Sequence, residues 1–261
     1  MPYDAHIHLD HYEPAERQAM LERAAARGVK GVVAVSMGRS SCEANLQLAR
    51  QYPGFVLPAF GHHPEREPLD EAELDALCQW IEALPRDLNF AIGEVGLPYF
   101  SRTAAEAEGR AFDMEPYLRQ CGRFVRLAAK LGRPLNLHAV HEDADAVMDI
   151  IELCGAPKAH FHWFKGSART LERLIRNRHY ISVTPEVLYD EETRKLARDY
   201  PLELLLVETD GPWPFEGPFA GKTTEPGMVA DAVSEIARLR GLPEREVAEA
   251  LDENARRFYG F

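Results

Sequence analysis

Hydrophobic positions along the 261-residue chain alternate between two textures. Short runs rich in β-branched and other apolar residues occur at Tyr3 to His8, Gly31 to Ser36, Phe55 to Gly61, Phe90 to Glu94, Leu135 to His138, Ala159 to His162, Tyr180 to Val183 and Leu204 to Glu208. Between them lie amphipathic stretches, among them Pro14 to Arg27, Leu69 to Leu84, Glu115 to Leu131, Ala144 to Leu153 and Ala168 to Asn177. Two more, around Met228 to Leu239 and Arg245 to Tyr259, close the chain. Strand-like runs separated by helical periodicity predict a parallel sheet covered by helices.

Punctuation agrees with this division. Gly28, Gly132 and Gly241 each follow a helical pattern, where glycine relieves the left-handed conformation of a C-cap. Pro134 prevents the preceding helix from running into the next strand. The Gly- and Pro-rich stretch 211–226 reads as a loop over a site. No short-period repeat, low-complexity tract or linker interrupts the chain. Eight β/α units predict a TIM (β/α)8 barrel formed as a single domain over residues 1–261, with an open doubly wound sheet as the alternative.

Composition narrows the function. The net charge is −12 with no basic run, which weighs against extensive binding to a duplex backbone but permits a grip on one or two phosphates. Cys42, Cys78, Cys121 and Cys154 have no CxxC spacing and suggest reduced thiols. With no apolar run long enough to span a bilayer and a polar start at Met1 to Asp4, a cytoplasmic protein without membrane or obligate protein partner is expected.

Candidate chemistry gathers at the strand ends. His6 and His8 are two apart in a strand and aim two imidazoles to one side. Strand three runs into His62-His63-Pro64, strand four ends at Glu94, strand five at His138, strand six supplies His160 and His162, and strand eight runs into Glu208-Thr209-Asp210. In a barrel these ends form one catalytic rim. Either His62 or His63 is a plain loop residue, His160 reads as a supporting or packing residue, and Glu208 as support for Asp210. His11, His141 and His179, on loops or helix ends, are expected to be solvated. Mixed imidazole and carboxylate donors suit Zn²⁺, Mn²⁺, Fe²⁺ or Co²⁺, and purely oxygen sites Mg²⁺ or Ca²⁺. Four histidines (His6, His8, His138, His162) and two carboxylates exceed the needs of one tetrahedral ion. They suggest two divalent metal ions (Zn, Mn or Mg) bridged by Glu94, with Asp210 both a ligand and the group orienting a metal-activated water.

The ordered landmarks Asp-Ala-His-Ile-His-Leu (4–9), Gly-His-His-Pro (61–64), Ala-Ile-Gly-Glu-Val-Gly-Leu (91–97), Pro-Leu-Asn-Leu-His (134–138), His-Trp-Phe-Lys-Gly (162–166) and Glu-Thr-Asp-Gly-Pro (208–212) resemble the TatD family of metal-dependent hydrolases, in the amidohydrolase superfamily. Glu225-Pro226 and Asn254 to Phe258 also fit. The resemblance implies a TIM barrel, a one- or two-metal site and nuclease activity on DNA. It implies that His6, His8, Glu94 and Asp210 hold one ion and Glu94, His138 and His162 the other, with His63 beside the substrate phosphate. Three positions depart from the usual pattern: Pro98 stands in place of Asp, Ala139-Val140 in place of Ser-Arg, and Thr224 in place of Asn.

The leading expectation is a phosphodiesterase acting on DNA ends, with catalysis by Asp210 and Glu94 and substrate contacts from His63 and Lys165. Arg39, Arg66, Arg102 and Lys222 are further candidate cations for a phosphate. The alternative, favoured by the three departures, is a small-molecule amidohydrolase cleaving an amide, lactone or ester. A third reading is a barrel that binds metal and a partner without turnover, which retention of the whole ligand set argues against.

Overall fold

The strands form in the predicted order, and each is hydrogen-bonded to its neighbour in sequence. In the computed structural model, which describes residues 2–156 and 158–261, the strands are β1 (Asp4–Ile7), β2 (Val32–Ala34), β3 (Val56–Phe60), β4 (Ala91–Gly96), β5 (Leu135–His138), β6 (Ala159–Phe161), β7 (Tyr180–Val183) and β8 (Leu205–Val207). The helices are α1 (Pro14–Ala26), α2 (Arg39–Gln51), α3 (Glu71–Glu82), α4 (Tyr99–Ala107), α5 (Glu115–Leu131), α6 (Asp143–Cys154), α7 (Ala168–Arg176), α8 (Glu191–Asp199), α9 (Val229–Arg240) and α10 (Glu244–Tyr259). All pairings from β1 to β8 are parallel.

The seam between first and last strands is closed just beyond β8. The Asp210 N–H donates to the His6 carbonyl at 2.9 Å and the His8 N–H to the Gly211 carbonyl at 2.8 Å. The Asp4 carboxylate stands in for a further ladder acceptor, taking the Thr209 N–H at 2.9 Å and the Thr209 hydroxyl at 2.5 Å. Burial pushes the Asp4 carboxyl up to about 7, against the lowering effect of those bonds. Eight parallel strands closed in this way make the expected TIM barrel.

Alternation along the strands separates two environments. Ala5 and Ile7, Leu135 and Leu137, Phe161, and Ile181 and Val183 are buried in apolar clusters with the helices. Their neighbours face the barrel interior: Asn136 of β5 meets His6 of β1 across the lumen at 2.9 Å. On β4, Gly96 has φ +152°, and a Cβ there would lie 1.9 Å from the His138 carbonyl oxygen. Glycine alone allows β4 and β5 to approach this closely at the mouth.

Helices α2, α4 and α8 were not among the predicted stretches. The last two have thin apolar stripes: α4 buries only Ala105, and α8 only Thr193, Leu196 and Ala197. A side-chain N-cap starts α8, where the Thr193 N–H donates to Asp190 at 2.8 Å. The β4–β5 connection therefore carries two helices, α4 at the mouth and α5 packed on the sheet. Strands β6 and β8 stop at Phe161 and Val207, leaving His162 and Glu208 one residue beyond their ends.

His179, expected in solvent, is buried instead, at 4% exposure. It precedes β7, and its Nδ1 accepts the Ala159 N–H at 3.1 Å while the Tyr200 hydroxyl donates to its carbonyl. Burial holds the imidazole down to about 4, so it stays neutral in the fold while an unfolded chain protonates it below about 6.5. Its contribution to stability is intact above the unfolded value and is lost as pH falls toward 4, about 3 kcal/mol in all. His179→Asn keeps an acceptor and removes the titration. Its melting temperature should fall less steeply than that of wild type between pH 6.5 and 4. Equal slopes would place the acid sensitivity elsewhere.

Candidate metal centre

The end of β1, the middle of β4 and the turn after β8 bring four atoms around one point. His6 Nε2 lies 3.2 Å from Glu94 Oε2 and 3.3 Å from Asp210 Oδ1, and His8 Nε2 lies 3.4 and 3.3 Å from the same two oxygens. Four donors held about 2.0–2.1 Å from one ion in a tetrahedron are spaced about 3.3–3.4 Å apart, so these edges have the dimensions of a first-row metal site. His6 Nε2, Glu94 Oε2 and Asp210 Oδ1 are buried without a hydrogen-bond partner, which is costly unless a cation takes their lone pairs. Asp210 reaches the cluster from a left-handed conformation, φ +49°, which aspartate tolerates better than most residues.

The other Glu94 oxygen faces a second set. Glu94 Oε1 is 2.9 Å from His138 Nδ1 and 2.9 Å from His162 Nε2, and these two nitrogens are 3.1 Å apart. His63 Nε2 approaches the same oxygen at 3.2 Å. Burial opposes ionisation of Glu94, but the imidazoles of His63, His162 and His6 hold its carboxyl well below the usual range. Asp210 is likewise depressed, against burial, by His6 and His8.

Hydrogen bonds outside the cluster set which nitrogen each ring presents. The Glu208 carboxylate accepts the Ser182 hydroxyl at 2.6 Å, so Ser182 Oγ accepts from His160 Nε2, also at 2.6 Å. Burial holds His160 well below the ordinary imidazole value, so the neutral ring turns its Nδ1 lone pair to the Tyr259 hydroxyl at 2.6 Å. Tyr259 accepts from the Asn136 amide at 2.9 Å, which leaves Asn136 Oδ1 to accept from His6 Nδ1. With a cation bound in the first cluster, this would leave the His6 Nε2 lone pair to face it. Similarly, the Glu65 N–H donates to His63 Nδ1 at 3.1 Å, so His63 Nε2 carries a hydrogen toward Glu94. The Glu65 carboxylate lies 3.2 Å from His138 Nε2, which orients His138 Nδ1 inward.

The structure thus brings together His6, His8, His63, Glu94, His138, His162 and Asp210. His62 turns away, its Nε2 3.0 Å from the Glu67 carbonyl. Glu208 supports the cluster, bonding the Trp163 N–H at 2.6 Å and lying 3.5 Å from His162 Nδ1. Lys165 is held instead by Glu186 at 3.4 Å and Asp190 at 4.0 Å. Arg102 is engaged by Glu142 and Asp143, and Arg39 by Glu43. Ala139 and Val140 are buried, so the stretch after His138 offers apolar side chains and no cation.

Glu65 was missed in the sequence, although it directly follows the His-His-Pro landmark. Burial would raise its carboxyl, but hydrogen bonds from His138 and Ser101 hold it down to about 2. It also accepts the Phe100 and Ser101 N–H groups at 2.8 and 2.7 Å, capping α4 from another loop. Pro98, the residue before α4, offers no side-chain cap, and Glu65 supplies the carboxylate that position 98 lacks. Asn136 and Ser182 were signalled only by polar side chains inside apolar runs, and Tyr259 by nothing local.

Tyr259→Phe should remove the link between His160 and Asn136. Leaving those buried groups without a partner should cost about 1–3 kcal/mol, read as a lowered denaturant midpoint with an unchanged m-value. An unaltered midpoint would show that the chain of bonds carries no net stability.

The chain matches the family model described as TatD related DNase over residues 3–260. An uncharacterized metal-dependent hydrolase of Haemophilus influenzae is 32% identical over 259 residues, covering 99% of each chain. Human deoxyribonuclease TATDN3 is 29% identical over 264 residues, covering 98% of this chain and 93% of its own. The crystal structure of the TatD homologue YJJV from Escherichia coli superposes with a TM-score of 0.82 at 28% identity, covering 99% of this chain and 98% of that one. With a matching fold, a donor cluster fit for metal and a family match along nearly its whole length, this chain belongs to the TatD family of metal-dependent hydrolases.

Proposed function

We propose that the protein hydrolyses phosphodiesters at nucleic-acid ends with two divalent ions held at the barrel mouth. The observation that carries this reading is Glu94, whose two oxygens address two separate buried donor sets. His6, His8, Glu94 and Asp210 would hold one ion, and Glu94, His138 and His162 the other. A set this rich in imidazole favours zinc or manganese over magnesium. Bound ions would supply Lewis-acid stabilisation of the phosphate and activation of the attacking water.

The chain's own residues do the rest. Asp210, ionised at neutral pH, orients the attacking water and receives its proton. Glu94 keeps the two donor sets in fixed relation. His63 presents an N–H toward the second set, suited to an oxygen of the substrate phosphate. Glu65 and the bonds running from Glu208 to Asn136 hold the imidazoles in the ligating orientation.

An end suits this molecule better than a duplex. Its net charge is −12, and Arg39, Arg102 and Lys165 are already engaged by carboxylates, so few cations remain for a long backbone footprint. A deoxyribonuclease name on a relative matched along nearly its whole length supports a phosphodiester over a neutral amide or lactone.

Turnover of an end-labelled single-stranded oligonucleotide tests the reading. Exhaustive chelation should abolish cleavage, with recovery on adding Zn²⁺ or Mn²⁺. Asp210→Asn should lower kcat by about 10²–10⁴-fold while the protein retains its circular dichroism. Wild-type kcat in Asp210→Asn, or full activity after chelation, would refute the mechanism.

A further inference from the structure

Large exposed apolar side chains among the described residues are Phe100 at 55%, Leu153 at 87%, Ile175 at 36% and Trp213 at 46%. Leu153 and Ile175 lie on α6 and α7, and single exposed aliphatic residues need no explanation. The two aromatics are differently placed. The Phe100 ring centroid is 5.9 Å from that of His138, and the Trp213 ring is 6.3 Å from that of His8. One follows β4 and the other β8, on opposite sides of an eight-stranded barrel, so the rings flank the donor cluster.

Both are mounted firmly. The Phe100 N–H is held by Glu65 at 2.8 Å, and its ring meets Tyr99 edge-on at 5.4 Å. The Trp213 N–H donates to the Asp210 carbonyl at 3.2 Å, and its own carbonyl accepts the buried Thr224 hydroxyl at 2.6 Å. In each case the backbone is tied to a residue at or beside the donor cluster while the ring is left to solvent. A large apolar ring held in water forgoes the gain of burial, and its site needs a partner that supplies it.

We propose that Phe100 and Trp213 are stacking platforms that seat the bases on either side of the scissile phosphate at a single-stranded end. This rests on the phosphodiester reading above and adds what recognises the strand. Every nucleobase has a π-face, so stacking binds a strand with little sequence preference and without a long row of cations. It also accounts for a nucleic-acid substrate on an acidic chain whose Ala139 and Val140 offer no guanidinium. A paired base already stacked in a duplex would have to be extruded first, so the platforms select frayed or single-stranded ends.

The test compares oligonucleotides with a natural terminal residue against ones whose base is replaced by a tetrahydrofuran abasic unit, the phosphodiester being the same. On wild type, losing the base should raise KM about ten-fold. Phe100→Ala and Trp213→Ala should each raise KM for the natural end by a similar factor and lose the abasic penalty on their side. Both should melt near the wild-type temperature, since the rings are exposed. Equal KM for natural and abasic ends on wild type, or an abasic penalty undiminished in both variants, would overturn the proposal. Fluorescence quenching measured on wild type and Trp213→Phe separates this from the hydrolytic reading. If no phosphodiester is turned over but natural strands quench Trp213 and abasic ones do not, the platforms stand and the hydrolytic assignment falls. Neither turnover nor base-dependent quenching would refute both.

Discussion

Everything at the mouth of this barrel is arranged around one buried carboxylate. Glu94 has no exposure to solvent, and its two oxygens are each approached by imidazoles from different strands. An isolated carboxylate at that depth would protonate, because burial in a poorly polarisable interior disfavours charge. Here the surrounding rings keep it ionised, and its anionic form gives those rings a reason to converge. Removing either side would leave the other uncompensated. A divalent ion at Glu94 Oε2 would resolve the same conflict more completely, because it would satisfy a lone pair that no hydrogen bond reaches.

The barrel interior beneath supplies orientation. A metal-binding imidazole works only if the nitrogen facing the ion is free of hydrogen, and that choice is made at the far side of the ring. The chain from Glu208 through Ser182, His160, Tyr259 and Asn136 to His6 makes it over several residues, drawing on β5, β6, β7 and α10. A second, shorter device centred on Glu65 does the same for His63 and His138 while fixing the start of α4. The interior is thus polar where a barrel core is usually filled with branched apolar residues. The apolar clusters against the helices carry the packing instead.

Much of this was legible in the sequence, and the reasons differ by feature. The eight strands could be read because each is an apolar run bounded by turn residues, and the mouth because its donors end those runs. The bounds of β6 and β8 were read slightly long because His162 and Glu208 continue the sequence pattern after ladder pairing stops. Helices α4 and α8 stayed hidden because so few of their residues are buried. His179 was misread because a histidine between a helix and a strand looks solvated unless its tertiary partner, the Ala159 N–H, is known. Glu65 and Tyr259 act through distant partners, and no local spacing encodes a contact 73 or 123 residues away.

The Asp4–Thr209 seam has a consequence for how the molecule comes to exist. It joins residues 205 positions apart, and His6, His8 and Asp210 of the first donor set flank it. Contacts of such separation form late, because a long loop must be closed before they contribute. Until the first strand meets the turn after the last, two imidazoles and a carboxylate of the first donor set lie on opposite ends of an open sheet. A partly folded chain therefore exposes strand edges but offers only an incomplete grip on a metal ion. Closure of the barrel and assembly of the first donor set are therefore one event, while the second set, carried by β4 to β6, does not wait for the seam.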